Sequence, residues 1–403
     1  MITFEGVTKR YPDGTVALDD VSLECPTGRI TVFVGTSGGG KTTALRTINR
    51  MVDPTEGRVL IDGRDVRDRK PAELRRGIGY VIQHAGLFPH RTVEDNIATV
   101  PRLLGRKKKE TRDRAHELMK LVGLEPAMAK RYPFQLSGGQ QQRVGVARAL
   151  AADPPIMLMD EPFSAVDPVV RAELQDEFLR LQDELHKTIV FVTHDIDEAI
   201  KLGDRIAVFR TGGELVQVDS PQDLLARPAD DFVAGFIGHD RGIRRLSFVP
   251  AAEAPLSERG ILPADAPVEQ ARDAADGWTL VVDVAGRPLG WAAADALPAE
   301  GVLADARLAP IGHSFSIEGD SLRAALDAAI LSPSGRAVAV DGEGRVLGLA
   351  DQADLATAIS ASGTRPRPEP APPSAPSPAP PPAAPPVAPP VAGVPGGEDG
   401  ASA

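Results

Sequence analysis

Residues 35–45 read GTSGGGKTTAL, and they follow RITVFVG (29–35), a short, apolar, β-branched run that predicts a buried strand. A glycine-rich turn between a strand and a helix restricts the fold severely. Gly35, Gly38, Gly39 and Gly40 allow the backbone to curl until successive N–H groups face inward, and the following helix adds its positive N-terminal end. The spacing is that of a phosphate cradle. Lys41 reaches the β- and γ-phosphates of a nucleotide, Thr42 places its hydroxyl on Mg2+, and Ser37 and Thr43 complete the set of loop residues expected to touch the nucleotide.

Residues 1–240 alternate strand-like and helix-like patterns, which implies an α/β sheet covered by helices. IMLMD (156–160) and TIVFVTH (188–194) read as further buried strands, and 106–124 and 164–186 as helices. IMLMDEP (156–162) ends in adjacent carboxylates whose side chains alternate in direction along the strand. Asp160 is expected to hold Mg2+ through water and Glu161 to polarise the attacking water as general base, the division needed for phosphoryl transfer to water. At 403 residues the chain has room for two or three domains. It contains no uninterrupted apolar run of the ~18–20 residues needed to span a bilayer, and its start, MITFEGVTKRYPDG, lacks the apolar core of a secretory signal. A single cysteine, Cys25, cannot form an internal disulfide, as befits a reducing compartment. The net charge of −11 argues against a nucleic-acid partner, and the basic run RKKKETR (106–112) reads as a solvated helix face.

Five more motifs occur in a fixed order: Tyr11 in KRYPDG, Gln83 in YVIQHAGLFPH, LSGGQ at 136–140, SAVD at 164–167 and His194 in VFVTHD. With them the sequence resembles the ATP-binding cassette (ABC) family across residues 1–240. The resemblance implies an ABC ATPase domain of P-loop type with a helical signature subdomain, using ATP and Mg2+. It implies that Tyr11 stacks on adenine, that Gln83 and His194 sense the γ-phosphate, and that Gln83 also joins Thr42 and Asp160 at the metal. It further implies a head-to-tail homodimer. Ser137, Gly138, Gly139 and Gln140 of one copy would close on the ATP held by Lys41 of the other, and Asp167 would couple the two sites. One departure is visible: Thr36 stands where the family commonly has proline, which is expected to loosen the loop.

INRMVDPTEGRVLIDG (48–63) and SPQDLLARPADDFVAGFIG (220–238) resemble bacterial importers, in particular those for glycine betaine, choline, carnitine and related osmoprotectants. That implies a peripheral subunit at the cytoplasmic face of the membrane. It would dock on integral-membrane permease subunits, contacting them through Leu87, Phe88 and Pro89, and would serve an extracytoplasmic substrate-binding protein indirectly. An importer for another small solute, such as an amino acid, or a non-transport ABC ATPase are the competing readings.

Beyond residue 244 the texture changes. GWTLVVDVAGRPLGWAAADAL (277–297) aligns without gaps on GRAVAVDGEGRVLGLADQADL (335–355), each copy reading as strand, tight turn, strand, helix. Residues 244–361 resemble a degenerate tandem pair of cystathionine-β-synthase (CBS) domains, a regulatory module. At the positions where such modules hold adenosyl ligands the second copy has Asp351 and Asp354, and the first has Ala293 and Ala296. This leaves ionic strength, a cyclic dinucleotide or a structural role as alternatives for the pair. From 362 to 403 proline, alanine, glycine and serine dominate, a composition expected to stay disordered.

Overall fold

The computed structural model describes residues 1–82, 86–164, 166–272 and 277–362. Gln83 and the proline-rich tail lie outside the described residues. Ten strands form one mixed sheet: β1 (Ile2–Arg10), β2 (Val16–Cys25), β3 (Ile30–Gly35), β4 (Glu56–Ile61), β5 (Arg64–Asp65), β6 (Ile78–Val81), β7 (Ile156–Asp160), β8 (Thr188–Val192), β9 (Arg205–Arg210) and β10 (Glu214–Asp219). Their order is β5-β4-β1-β2-β10-β9-β3-β8-β7-β6. The half from β9 through β3, β8 and β7 to β6 is parallel. The β1, β2, β4 and β5 half is antiparallel.

The three strands expected from sequence are the ones buried on both faces, so they read as continuous apolar runs rather than alternating ones. Alternation still sorts the side chains of β3 between two cores. Ile30, Val32 and Val34 pack with the helices Lys108–Leu121, Gly138–Leu150 and Pro168–Leu185, whereas Phe33 packs with the helix Lys41–Ile48 and the antiparallel strands. Each such side chain contributes about 1.5–3 kcal/mol through burial. The expected helices at 106–124 and 164–186 are present as Lys108–Leu121 and Pro168–Leu185, and the charged residues of the 106–112 run are all exposed.

The C-terminal region contains two smaller sheets. One has β11 (Ile261–Pro263), β12 (Trp278–Val282), β13 (Pro288–Ala293) and β14 (Leu308–Ala309); the other has β15 (Ser314–Ser316), β16 (Arg336–Val340) and β17 (Val346–Asp351). The repeat seen in sequence is a repeat in space. Asp283 Oδ1 accepts the N–H groups of Ala285 and Arg287, and Asp341 Oδ1 accepts those of Glu343 and Arg345. Leu280 and Trp291 of the first copy share a cluster with Val338 and Leu349, their counterparts in the second.

Two features differ from expectation. The helix expected after the first hairpin is only a 3-10 turn, Ala294–Ala296, because Pro298 forces Leu297 out of the helical region, at ψ 140°; the second copy has no such proline and continues as the helix Gln352–Ser362. The repeated unit also starts earlier than the gapless match. Each copy begins with a strand parallel to the hairpin's first strand, β11 on β12 and β15 on β16, followed by a helix, Val268–Arg272 or Leu322–Leu331.

Two glycines illustrate what holds the sheet and its loops together. Gly35 has φ 144°, and a Cβ there would sit 1.9 Å from the Phe209 carbonyl oxygen on β9. Gly235 has open space where a Cβ would go and lies in the helix Asp231–Ile237. Gly35→Ala is expected to cost about 1–3 kcal/mol in urea unfolding, while Gly235→Ala should gain about 0.5–1 kcal/mol.

Candidate nucleotide site

The glycine loop leaves the C-terminal end of β3, the edge of a parallel sheet at which α/β folds hold ligands. Gly40, at φ 79°, starts the helix Lys41–Ile48 without a side-chain cap, so the first-turn N–H groups remain open toward the loop. A Cβ at Gly40 would lie 1.9 Å from the Ala17 carbonyl oxygen; only glycine lets the loop sit this close to β2. The Lys41 amine folds back into the loop, donating to Gly35 O at 2.9 Å and Thr36 O at 2.7 Å. Burial lowers the Lys41 pKa, against the pull of Glu161 and Asp160. The Thr36 hydroxyl lies 2.9 Å from that of Thr211, a link between this loop and the turn after β9.

The carboxylates arrive from β7. Thr42 Oγ1 donates to Asp160 Oδ1 at 2.9 Å, and Arg46 stands 3.9 Å from the other oxygen. Asp160 is 6% exposed, and burial raises its pKa, opposed by the Thr42 hydrogen bond and Arg46. Glu161 turns away from Asp160 by adopting φ 47°, a left-handed conformation that non-glycine residues adopt rarely and chiefly where the surroundings enforce it. Its N–H donates to Val192 O, and the hydroxyl of Ser164 donates to its carbonyl at 2.9 Å. Its carboxylate meets His194, with Nδ1 3.3 Å from Oε1. Ser37 to Thr43, Glu161 and His194 line one cleft of about 400 Å³.

Other expected site residues lie outside that cleft. Tyr11 is half exposed in the turn before β2, with the Lys9 amine 5.2 Å over its ring. Ser137 to Gln140 open the helix Gly138–Leu150 elsewhere on the chain. Ser137 Oγ accepts the Gln140 N–H at 3.3 Å while Gln140 Oε1 accepts the Ser137 N–H at 3.0 Å, a reciprocal cap. The Ser137 hydroxyl proton and the Gly138 and Gly139 N–H groups are left to face outward. Asp167 immediately precedes the helix Pro168–Leu185, and its carbonyl accepts the Arg171 N–H at 2.8 Å. Of the apolar trio, Leu87 joins the core, while Phe88 and Pro89 are exposed. Asn96, fully buried, accepts the Phe88 N–H and donates to the carbonyls of Phe88, Arg91 and Thr92, fixing this loop.

Sequence reasoning missed three participants. The Ser137–Gln140 cap was readable as S-x-x-Q ahead of a helix. Thr211 and Arg46 carry no local signal, because each meets the loop or Asp160 only through the fold.

The sequence pattern described as ABC transporter matches residues 18–164. The choline transport ATP-binding protein of Bacillus subtilis is 54% identical over 247 residues, covering 61% of this chain and 65% of that protein. The osmoprotectant import ATP-binding protein of Salmonella typhimurium is 45% identical over 379 residues, covering 91% of this chain and 98% of that protein. The chain belongs to the ABC transporter ATP-binding proteins. A dimeric structure of a bacterial ABC transporter cassette superimposes with a TM-score of 0.51 at 38% identity, covering 55% of this chain and 99% of that one. A related dimer in a post-hydrolysis state, bound to ADP and Pi, matches equally well at 37% identity. The ten-stranded sheet is thus the mixed sheet of a P-loop ABC ATPase, a nucleotide-binding fold.

The cost of burying Asp160 in this ABC ATPase can be measured. A carboxyl pKa raised on folding means that ionisation opposes folding. The penalty is full above the folded pKa and absent below the ordinary value of 3.8. Asp160→Asn is expected to raise the thermal unfolding midpoint of the nucleotide-free chain at pH 7, with the gain shrinking as pH falls toward 4.

Proposed function

We propose that this chain is the ATP-hydrolysing subunit of a membrane importer for quaternary amine and betaine-type osmoprotectants. The observation that carries the hydrolysis is the convergence of Lys41, Thr42 and the Glu161–His194 pair on one cleft, with Asp160 bonded behind Thr42. The N–H groups at the uncapped helix start suit phosphate oxygens, the Gly39 N–H meanwhile donating to Thr36 O at 3.2 Å, and Lys41 can exchange its two carbonyl partners for the β- and γ-phosphates. Glu161 takes the proton from an attacking water, and His194 holds the Glu161 carboxylate in place while facing the γ-phosphate side. Among the described residues no three His, Cys, Asp or Glu side chains gather into a metal site; Thr42 and Asp160, with Gln83, are the residues assigned to Mg2+, a small donor set that suits an ion sharing its shell with phosphates and water. When bound, Mg2+ offsets the charge developing on the phosphate oxygens.

Ser137, Gly138 and Gly139 have the same donor chemistry but no lysine. In the proposed arrangement they close on the γ-phosphate of a second copy, whose Lys41 supplies the charge, and Tyr11 stacks on the adenine. Among the described residues no helix is long and apolar enough to cross a membrane. We place the subunit at the cytoplasmic face, docked on permease subunits through the exposed Phe88 and Pro89, with an extracytoplasmic substrate-binding protein acting through the permease. The names of the relatives above support the osmoprotectant assignment. The paired hairpins of residues 244–361 support a degenerate CBS-like regulatory module, in which Asp351 lies toward Arg336, 4.0 Å from its Nε.

Two experiments test this. Glu161→Gln should leave ATP binding intact, lower hydrolysis by about 100-fold or more, and accumulate an ATP-bound dimer in size-exclusion chromatography; normal turnover would refute the assignment. Reconstituted with its permease, the full chain should drive glycine betaine uptake that rises with salt. Truncation after residue 245, which retains the ion pair between Arg244 and Asp197, should flatten that rise, and an unchanged salt curve would contradict the regulatory reading.

A further inference from the structure

Glu198 is a buried carboxylate for which the hydrolytic chemistry has no direct use. It is 6% exposed on the helix Ile196–Leu202, and both of its oxygens are committed. The hydroxyl of Thr193, 2% exposed, donates to Oε2 at 2.6 Å, and Nε2 of Gln175, 7% exposed, donates to Oε1 at 3.3 Å. Burial raises the Glu198 pKa, and the nearby charges, Asp195 and Arg171, act in opposite directions on it. A buried carboxylate is tolerated when its lone pairs are filled, and removing one partner costs more than the bond itself.

The partners matter because of where they lie. Thr193 and Asp195 flank His194, and both are held by the same helix, Pro168–Leu185. Gln175 reaches Thr193 through Glu198. One turn earlier on the same face, Arg171 Nη1 stands 3.9 Å from Asp195 Oδ2, while its Nη2 donates to Val166 O at 3.1 Å. The Thr193 hydroxyl also accepts the Asp195 N–H at 3.0 Å, which closes the path from Glu198 to Asp195. Val166 and Asp167 immediately precede this helix, and the LSGGQ segment lies close by: a Cβ added at Gly139 would stand 3.8 Å from side-chain carbons of both Val166 and Val170. One rigid element therefore joins the neighbours of His194 to the loop assigned to the second copy's site.

We infer that Gln175 and Arg171, acting through Glu198 and Asp195, are positioning residues that set His194 and tie its placement to the Asp167 loop, so that occupancy of one ATP site is felt at the other. The inference rests on the two-copy reading above. None of these four side chains lines the nucleotide cleft, so their effect falls on turnover rather than on nucleotide affinity.

The test uses the purified full chain and measures ATPase rate against ATP concentration, ATP affinity and thermal unfolding for Gln175→Leu, Glu198→Leu and Glu198→Gln. The parent should show a Hill coefficient approaching 2, the limit for two sites. Gln175→Leu and Glu198→Leu should lower kcat about tenfold or more and bring the Hill coefficient to about 1, with KM and ATP affinity unchanged. Glu198→Gln, which can still accept from Thr193, should recover most of both. Leu variants with parental kcat and Hill coefficient would overturn the inference. So would losses that track a fall in ATP affinity or unfolding temperature, or that Glu198→Gln fails to rescue. A parent with no cooperativity and no ATP-dependent dimer would overturn the two-copy reading itself.

Discussion

The parallel register of β7, β8 and β3 is the constraint on which the site depends. Val192 pairs with Phe33 on one side and Asp160 on the other, so the three strands end level. Adjacent strands lie about 4.8 Å apart, and three loops leaving one edge must converge. The glycine loop follows β3, Glu161 follows β7 and His194 follows β8. None of these residues could meet by local sequence alone.

Within that frame the site is held tightly on one side and left open on the other. Lys41 is bonded to the loop, Asp160 to Thr42, and Glu161 to Val192 and His194. What faces outward is the donor-rich start of the Gly138–Leu150 helix. Its side-chain needs are met internally by the Ser137–Gln140 cap, so its remaining N–H groups and hydroxyl proton can serve a ligand that this copy's own loop does not hold. That division, anion charge balanced in one place and anion donors offered in another, is the physical basis for reading the active unit as two copies.

The chemistry-bearing residues were legible in the sequence because each belongs to a short contiguous motif. GTSGGGKT, IMLMDEP and VFVTH each combine a buried strand with the group at its end. What was not legible depends on partners far apart in the chain. Thr36 reads as a loop residue without a side-chain partner until Thr211 is seen beside it. Glu198 reads as one more helix carboxylate until Gln175 and Thr193 fill its oxygens. The repeat was visible where its copies align without gaps. Its opening strand and helix were hidden, because the second copy has a longer stretch between β15 and β16 than the first has between β11 and β12. The absent first-copy helix could have been read from Pro298, since the residue before a proline avoids helical geometry.

The central claim is that each ATP is held by Lys41 of one copy and Ser137 of another. Mixing two inactive chains tests it directly. Lys41→Ala and Ser137→Arg are each expected to abolish hydrolysis alone. A mixed dimer contains one damaged pair of motifs and one intact pair, so an equimolar mixture should regain up to about a quarter of the parental ATPase rate. A mixture that forms mixed dimers yet stays inactive at every ratio would contradict the account, because a site built within one copy cannot be restored by its neighbour.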